Sequence, residues 1–577
     1  MIAHKTYQRQ GMFLVFFVFA LVLLVLLFRL TYLMTAKAEK YGVMAKELHQ
    51  RERAIKAERG KIYDRNGNLL AGNRSVSTIS VIHSQIKEPE KVISILSKEL
   101  DIPEEKIRKK VEKVSSREKI KTNVDKEISD RIRDYNLAGV MVDEDYRRQY
   151  KYNDLASKVL GFTGGDNQGI IGLEVTYDKY LAGTSGAILT MTTAKGVEIE
   201  NGAEDRIEPV AGWDLHTSLD LNIMQYTKQV AETLKKEKQA KSVEIIVMNP
   251  NNGEIYAMTS VPEFNLNDPY TTSEDTTSLT AKEKMEKLNA MWRNGCVSDT
   301  YEPGSTFKIL TMAAALEKGV VKMTDAFSCP GYIVVEDRKI RCHKIGGHGG
   351  ETFLQGVMNS CNPVFISVGQ RLGVASMYEM LGKFGAFEKT GIDVPGEAVT
   401  IMHKQKNVGA VELATISFGQ SFQMSPIRLV ASVSSIINGG KKITPHFGVS
   451  VVKSDGKQIK KFKYTEKDGV VKEETTKLVK EALEKVVSEG TGKNAQANGY
   501  LVGAKTGTSE KLPRGNGKYI ASCLGFAPAD NPEVVMLVRI DEPQGLYYGG
   551  TVAAPAIGDI YSNILPYLLE NERINKD

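Results

Sequence analysis

The chain has 577 residues, a quarter of them charged and 42% hydrophobic, with a formal net charge of +6. That length exceeds one ordinary core and calls for three or four structural units, and the composition excludes a disordered chain. The charge is modest and no basic block is concentrated, which argues against nucleic acid as a partner.

Residues 12–28 (MFLVFFVFALVLLVLLF) form an uninterrupted apolar run, continued past Arg29 by Leu30, Tyr32, Leu33 and Met34. The run is as long as a bilayer core requires and longer than the apolar region of a signal peptide. The one small-x-small site, Ala36-Lys37-Ala38, lies too far downstream for cleavage. Residues 12–34 are therefore read as a transmembrane anchor behind a cytoplasmic head, 1–11. Lys5 and Arg9 before the run are balanced by Arg29 and Lys37 after it, so charge does not orient it. The ten-residue head is too short for a domain, and the chemistry below puts the remainder outside the cell.

Residues 35–58 are charged and helix-prone, a stalk. Residues 59–71 read as strand, Asn66-Gly67 hairpin turn and strand. Short amphipathic helices follow over 87–134, strand-like pieces at 139–142 and 159–163, and a helix and turn at 170–186. This stretch, 59–205, carries no catalytic constellation and is read as an elongated mixed α/β pedestal. From 210 the pattern changes. A strand at 215–218 precedes a helix at 221–236 that begins near Asp220. Strands 243–248 and 254–258 flank the turn Asn249-Pro250-Asn251-Asn252-Gly253. A helix after Met424 has Ser425 as cap, Pro426 at its first position and Gly439 at its end. Three more strands lie at 501–508, 519–526 and 534–540, and a helical tail at 551–569 ends the domain at about 570, with no further repeat after it.

Tyr301-Glu302-Pro303-Gly304-Ser305-Thr306-Phe307-Lys308 runs into an Ala- and Leu-rich helix that stops at Gly319. Pro303 and Gly304 break what precedes, which puts Ser305 in the first turn, where free N–H groups favour developing negative charge. Lys308 follows one turn on. A serine becomes a strong nucleophile when a neighbouring base takes its proton, and a lysine of lowered pKa is such a base. Ser-x-x-Lys alone is weak; it recurs at Ser84, Ser116 and Ser454. Two further patches give it company: Ser360-Cys361-Asn362 and, at a strand end, Lys505-Thr506-Gly507-Thr508. A second Lys-Thr-Gly, at Lys389, precedes a loop-like stretch and offers no strand edge.

Ser305 is the expected nucleophile and Lys308, kept neutral by burial and a second cation, its base. Ser360 and Lys505 relay the proton, Asn362 holds Lys308 and the substrate amide, and the N–H groups of Ser305 and Thr508 form an oxyanion hole. Lys505, Thr506 and Thr508 bind a carboxylate, with Gly507 letting the strand approach the substrate. No cofactor is called for.

These three motifs, in this order and spacing, resemble the penicillin-binding proteins and serine β-lactamases, and more closely the class B penicillin-binding proteins. Residues 59–65, 169–186, 298–305 and 419–440 carry the same resemblance, which covers nearly all of the chain beyond the anchor. It implies an α+β architecture of anchor, pedestal ("dimerisation") module and a transpeptidase domain over 210–570, a five-stranded antiparallel sheet between helical layers. It further implies cross-linking of D-Ala-D-Ala stem peptides, capture of β-lactams on Ser305, and work in division or sporulation beside a membrane glycosyltransferase that uses lipid-linked precursors. A β-lactam sensor or β-lactamase, and a catalytically silent scaffold, are the competing readings.

The five cysteines are Cys296, Cys329, Cys342, Cys361 and Cys523. Three readings stay open: unpaired core thiols, a Cys342–Cys361 disulfide gating the site from within the Ser-x-Asn motif, and a thiolate–histidine metal site drawn from Cys329, Cys342, His348 and Cys361. The Cys342 and Cys361 placement resembles the sporulation branch of the family.

Overall fold

A computed structural model describes residues 2–41, 44, 50–115, 117–191, 205–272, 275–276 and 278–574. The apolar run lies in one continuous helix, Ile2–Thr35. Its Gln10–Thr35 part is the one span among the described residues that is long and apolar enough to cross a membrane. At 1.5 Å per residue, 26 residues reach about 39 Å, more than the roughly 30 Å hydrocarbon core.

The described chain clusters into two compact units. One comprises residues 1–58, 74–147 and 184–210, the other 59–73, 148–183 and 211–577. In the first, Gln50–Ile55, Gly186–Met191 and Asp205–Ile207 form a three-stranded antiparallel sheet. The end of the expected helical stalk is thus a strand: pairing along all of 50–55 outweighs its helix propensity. Helices Pro89–Leu100, Glu104–Val111 and Lys126–Asp134 bury Val92, Ile93, Leu96, Ile107 and Ile132 against Ile79, Val81, Ile120 and Val124. The last two belong to Glu118–Asp125, a strand hidden in a Lys/Glu-rich sequence because only Ile120 and Val124 point inward. Residue 116 of one Ser-x-x-Lys copy and residues 192–204 of the expected pedestal lie outside the described residues; Ser84 and Ser454 of the other copies are exposed.

In the second unit the Asn66-Gly67 turn forms as expected, with Gly67 at φ +83° and Tyr63 paired with Leu69. Residues 159–163, expected as a strand, instead contain the end of the short helix Ser157–Leu160, stopped by Gly161 at φ +75°. Nearby, Glu174 is fully buried between two guanidinium groups. Arg59 Nε donates to Oε2 at 2.6 Å and Arg148 Nε to Oε1 at 2.7 Å, while the Tyr150 hydroxyl donates to Oε1 at 3.1 Å.

A five-stranded sheet is built from β1 (Ser242–Met248), β2 (Ile255–Val261), β3 (Gly503–Glu510), β4 (Tyr519–Ala527) and β5 (Val534–Asp541). Its order is β2-β1-β5-β4-β3, antiparallel throughout, so β3 is an edge strand. Helix α1 (Leu221–Glu237), capped by the Asp220 carboxylate, and α2 (Ala554–Ile574) pack on this sheet and on each other. Lys308–Glu317 forms a helix whose first eight residues, rich in alanine, are buried among Asn362–Lys383, Pro426–Ile437 and Glu473–Ser488.

Removing one partner of a buried ion pair leaves the other charges uncompensated. Glu174→Gln is therefore expected to destabilise the protein by about 3–5 kcal/mol, read as a lowered unfolding midpoint. An unchanged midpoint would mean that Glu174 does not hold this part of the fold.

Candidate active site

The first motif sits on a tight entry into a buried helix. Gly304–Phe307 is a 3₁₀ turn and the α-helix starts at Lys308, one turn later than the sequence suggests, so Ser305 lies in the turn that leads into it. Two main-chain clamps hold the turn: Tyr301 and Met424 exchange N–H···O bonds of 3.1 and 3.0 Å, and Gly304 N–H donates to Gly419 O at 2.9 Å. Glu302 adds an ion pair to Arg514 at 2.8 Å and accepts from Ser421 N–H at 2.9 Å. Phe307 packs on Phe422, ring centroids 4.7 Å apart.

Ser360-Cys361-Asn362 is the corner between two helices, Phe353–Met358 and Asn362–Lys383. Ser360 takes φ +54°, a left-handed conformation that a serine adopts at some cost, and it turns the corner within one residue. The third motif is on edge strand β3.

The three patches converge. The Lys308 amine donates to Ser360 O at 2.8 Å and to Asn362 Oδ1 at 2.7 Å, and stands 3.3 Å from Ser360 Oγ. The Lys505 amine donates to the same Ser360 Oγ at 2.8 Å and to Thr506 O at 3.3 Å. Both lysines are 1% exposed, which no solvated surface face would show. Burial brings the Lys308 amine down to about 7, against the pull of Cys361, Cys342 and Glu351. Burial, reinforced by the nearby Lys308 amine, holds Lys505 well below the usual lysine range.

Two contacts differ from the sequence reading. The direct Ser305–Lys308 hydrogen bond is not made among the described residues, because the partners of the Lys308 amine are Ser360 and Asn362; Ser305 itself is half-buried. Asn362 uses its amide N–H on Arg341 O at 3.2 Å, a backbone partner that no side-chain motif could announce. Gly507 also makes a close approach within the protein: a Cβ there would stand 2.7 Å from Ser522 Oγ and 3.0 Å from Pro303 O and Thr306 Cγ2, so the glycine lets β3 close on the turn that carries Ser305. The closure is mutual: at Gly304 (φ +56°) a Cβ would lie 3.1 Å from Thr508 O and 3.6 Å from Thr508 N. Thr506 is buried; Thr508 is half-exposed, its Oγ accepting from Gly549 N–H at 3.0 Å. All five cysteines are free thiols in this structure, and Cys342 and Cys361 do come together, beside Cys329 and His348.

Residues 243–562 match the penicillin binding protein transpeptidase domain and residues 54–217 the penicillin-binding protein dimerisation domain. The chain belongs to the penicillin-binding protein transpeptidases. It is 39% identical to stage V sporulation protein D of Bacillus subtilis over all of this chain and 88% of that protein. It is 28% identical to the probable peptidoglycan D,D-transpeptidase PenA of Neisseria gonorrhoeae, covering 90% and 86% of the two chains. Among solved structures, penicillin binding protein 2X from Streptococcus thermophilus superposes with a TM-score of 0.74 at 21% identity, over 89% of this chain and 80% of that one.

With Lys308 as the proposed base of this penicillin-binding protein, an amine held to about 7 would limit acylation below that pH. The second-order rate of penicillin acylation is expected to rise about tenfold per pH unit below 7 and to level off above. A rate flat from about pH 5 to pH 8 would contradict a neutral Lys308 base. Gly507→Ala is expected to slow acylation by about 10²-fold, because the turn carrying Ser305 must shift; an unchanged rate would show that the close approach is dispensable.

Proposed function

We propose that Ser305 is the nucleophile and Lys308 the general base of a peptidoglycan D,D-transpeptidase that cross-links stem peptides in the cell wall during division or sporulation. The observation that carries this reading is the buried run Lys308–Ser360–Lys505, one hydroxyl shared by two amines at 3.3 and 2.8 Å beside the turn that holds Ser305.

The chemistry follows from that run. A neutral Lys308 donates its two N–H groups to Ser360 O and Asn362 Oδ1, oxygens that can only accept, and keeps a lone pair. When the donor peptide fills the site, the Ser305 hydroxyl and this lone pair close to bonding distance, as catalytic hydrogen bonds do on substrate binding. Ser305 Oγ adds to the carbonyl carbon of the penultimate D-Ala and its proton passes to Lys308. The N–H groups of Ser305 and Thr508 stabilise the oxyanion, a role supported by the approach of residue 304 to the Thr508 backbone. The proton then moves through Ser360 and Lys505 to the terminal D-Ala nitrogen, the C–N bond breaks, and D-Ala leaves an acyl group on Ser305. An amine from a second stem peptide adds to that ester, gives up its proton to the same base, and displaces Ser305.

Lys505 and the Thr508 hydroxyl bind the terminal carboxylate, and buried Thr506 contributes its main chain. A β-lactam mimics the donor and stays bound as a slow-leaving acyl group. Peptidoglycan lies outside the membrane, so the short N-terminus is cytoplasmic and the catalytic unit extracytoplasmic, where a membrane glycosyltransferase supplies glycan strands from lipid-linked precursors. The name of the relative, stage V sporulation protein D, supports the sporulation part of this role.

Fluorescent penicillin is expected to label the wild type covalently and to leave Ser305→Ala unlabelled at an unchanged unfolding temperature. Equal labelling of the two would remove Ser305 from this role.

A further inference from the structure

The second Lys-Thr-Gly, Lys389-Thr390-Gly391, takes no part in the acylation site, yet it lines a hollow of its own. The hollow encloses about 420 Å³ and is walled by three pieces of chain, residues 388–391, 442–444 and 463–467. The last two are held side by side. Lys442 and Lys467 exchange N–H···O bonds of 2.8 and 2.9 Å, and the Thr444 hydroxyl donates to Thr465 O at 3.0 Å. Four lysines, Lys389, Lys442, Lys463 and Lys467, face a single lining carboxylate, Glu388. Glu388 pairs with Lys442, and the other three lysines make no ion pair among the described residues.

The two remaining carboxylates of this stretch are turned inward. Glu397 accepts from the N–H groups of Thr390 at 2.6 Å and Gly391 at 3.3 Å. Asp393 accepts from those of Phe447 at 2.8 Å and Gly448 at 2.7 Å. The lysines are therefore left without the acids nearest to them in sequence.

Exposed lysines alone would be a solvated face. A buried cation beside them points to a ligand. Arg428 is 2% exposed, and its guanidinium makes only two long hydrogen bonds, Nε to Ser432 Oγ at 3.3 Å and Nη2 to Phe384 O at 3.4 Å. It has no carboxylate partner among the described residues. A Cβ on Gly385 would stand 3.2 Å from Arg428 Nη1 and 3.2 Å from the Lys442 amine, so these two cations are at most twice that distance apart. Burial brings the Arg428 guanidinium down to about 10, against the pull of Glu397 and Glu388. Like charges gathered this closely, one of them out of water, are unfavourable unless an anion offsets them.

We propose that the hollow at Lys389-Thr390-Gly391 is a binding site for a multiply charged phosphate ligand of the diphosphate or phosphodiester class. Three unpaired lysines with a guanidinium beside them exceed the single charge of a carboxylate. Phosphate oxygens concentrate two or more charges, and lysine amines meet them as mobile point charges. The Thr390 hydroxyl accepts from Ile392 N–H at 3.1 Å and keeps its own proton to donate. No covalent step is involved. None of the lining residues bonds Lys308, Ser360, Asn362 or Lys505, so the site is separate from acylation. On the reading that places this unit outside the membrane, two sources carry such groups: a lipid-linked diphosphate and a phosphodiester polymer of the wall.

The test is a calorimetric titration of the full chain, in detergent at fixed ionic strength, with inorganic pyrophosphate as the probe. The wild type is expected to bind about one pyrophosphate per chain, at least about tenfold more tightly than sulfate. The double variant Lys389→Gln with Lys463→Gln, both exposed, is expected to lose at least about tenfold in affinity. Lys109→Gln, in the other unit, is expected to bind as the wild type does. Arg428→Met is expected to weaken binding as well; should it fail to fold, the exposed pair decides. A folded double variant with wild-type affinity, or sulfate bound as tightly as pyrophosphate, would overturn the site. Two competitors then separate the sources. Displacement of pyrophosphate by detergent-dispersed polyprenyl diphosphate would support a lipid-linked ligand, and displacement by poly(glycerol phosphate) a wall polymer. Displacement by neither would overturn the assignment to a membrane or wall ligand. Loss of the Ser305 reading would show separately, as labelling of Ser305→Ala, whatever binds here.

Discussion

One hydroxyl between two buried amines organises this protein. Ser360 Oγ stands 2.8 Å from the Lys505 amine and 3.3 Å from that of Lys308. Two ammonium groups at that spacing, both out of water, would repel each other and forfeit their hydration, so at least one must give up its proton near neutrality. Burial thereby brings the Lys308 amine, ordinarily a cation, down to about 7, as the proposed role of base requires. Carbonyl acceptors take up two N–H groups of Lys308, which supports the proposed role of its lone pair as acceptor of the Ser305 proton.

Much of the architecture serves to keep that pair dry and fixed. The helix that begins at Lys308 runs through the middle of the domain, where its alanines allow the neighbouring helices close approach. The edge position of β3 leaves one side of the Lys505 strand unpaired within the sheet, the side a peptide can join as an added strand. Gly507 and Gly304 permit that strand and the Ser305 turn to meet with almost no gap, and Glu302 ties the turn to Arg514 and Ser421. The strained φ of Ser360 fits this picture: left-handed backbone in a serine persists where surrounding contacts over-determine it.

The three motifs that the fold brings together were legible in the sequence because acyl transfer calls for particular residue types at particular spacings. The Ala/Leu run ending at Gly319, the Ser425–Pro426 cap and the Asn66-Gly67 turn each carried local signals that tertiary structure left intact. Where the local signal was weak or reversed, packing decided. Gln50–Ile55 and Glu118–Asp125 are charged segments drawn into sheets by their partners. The role of Asn362 toward Arg341 O was hidden because a backbone acceptor leaves no residue type to notice. Gly507 was legible as a close-approach glycine, but what it approaches, Pro303 and Thr306, is some two hundred residues distant in sequence. Likewise, the spacing of Cys329, Cys342, His348 and Cys361 matches no familiar metal motif. The excursion between residues 326 and 352 has to fold back on the Cys361 corner before the four side chains meet.

The shared hydroxyl is the claim on which the rest stands, and the acylation rate of Ser360→Ala, followed from about pH 5 to about pH 9 beside the wild type, tests it most directly. If Ser360 couples the two amines, the variant folds normally but acylates about 10²-fold or more slowly across the range. A rate and pH profile indistinguishable from the wild type would contradict the account.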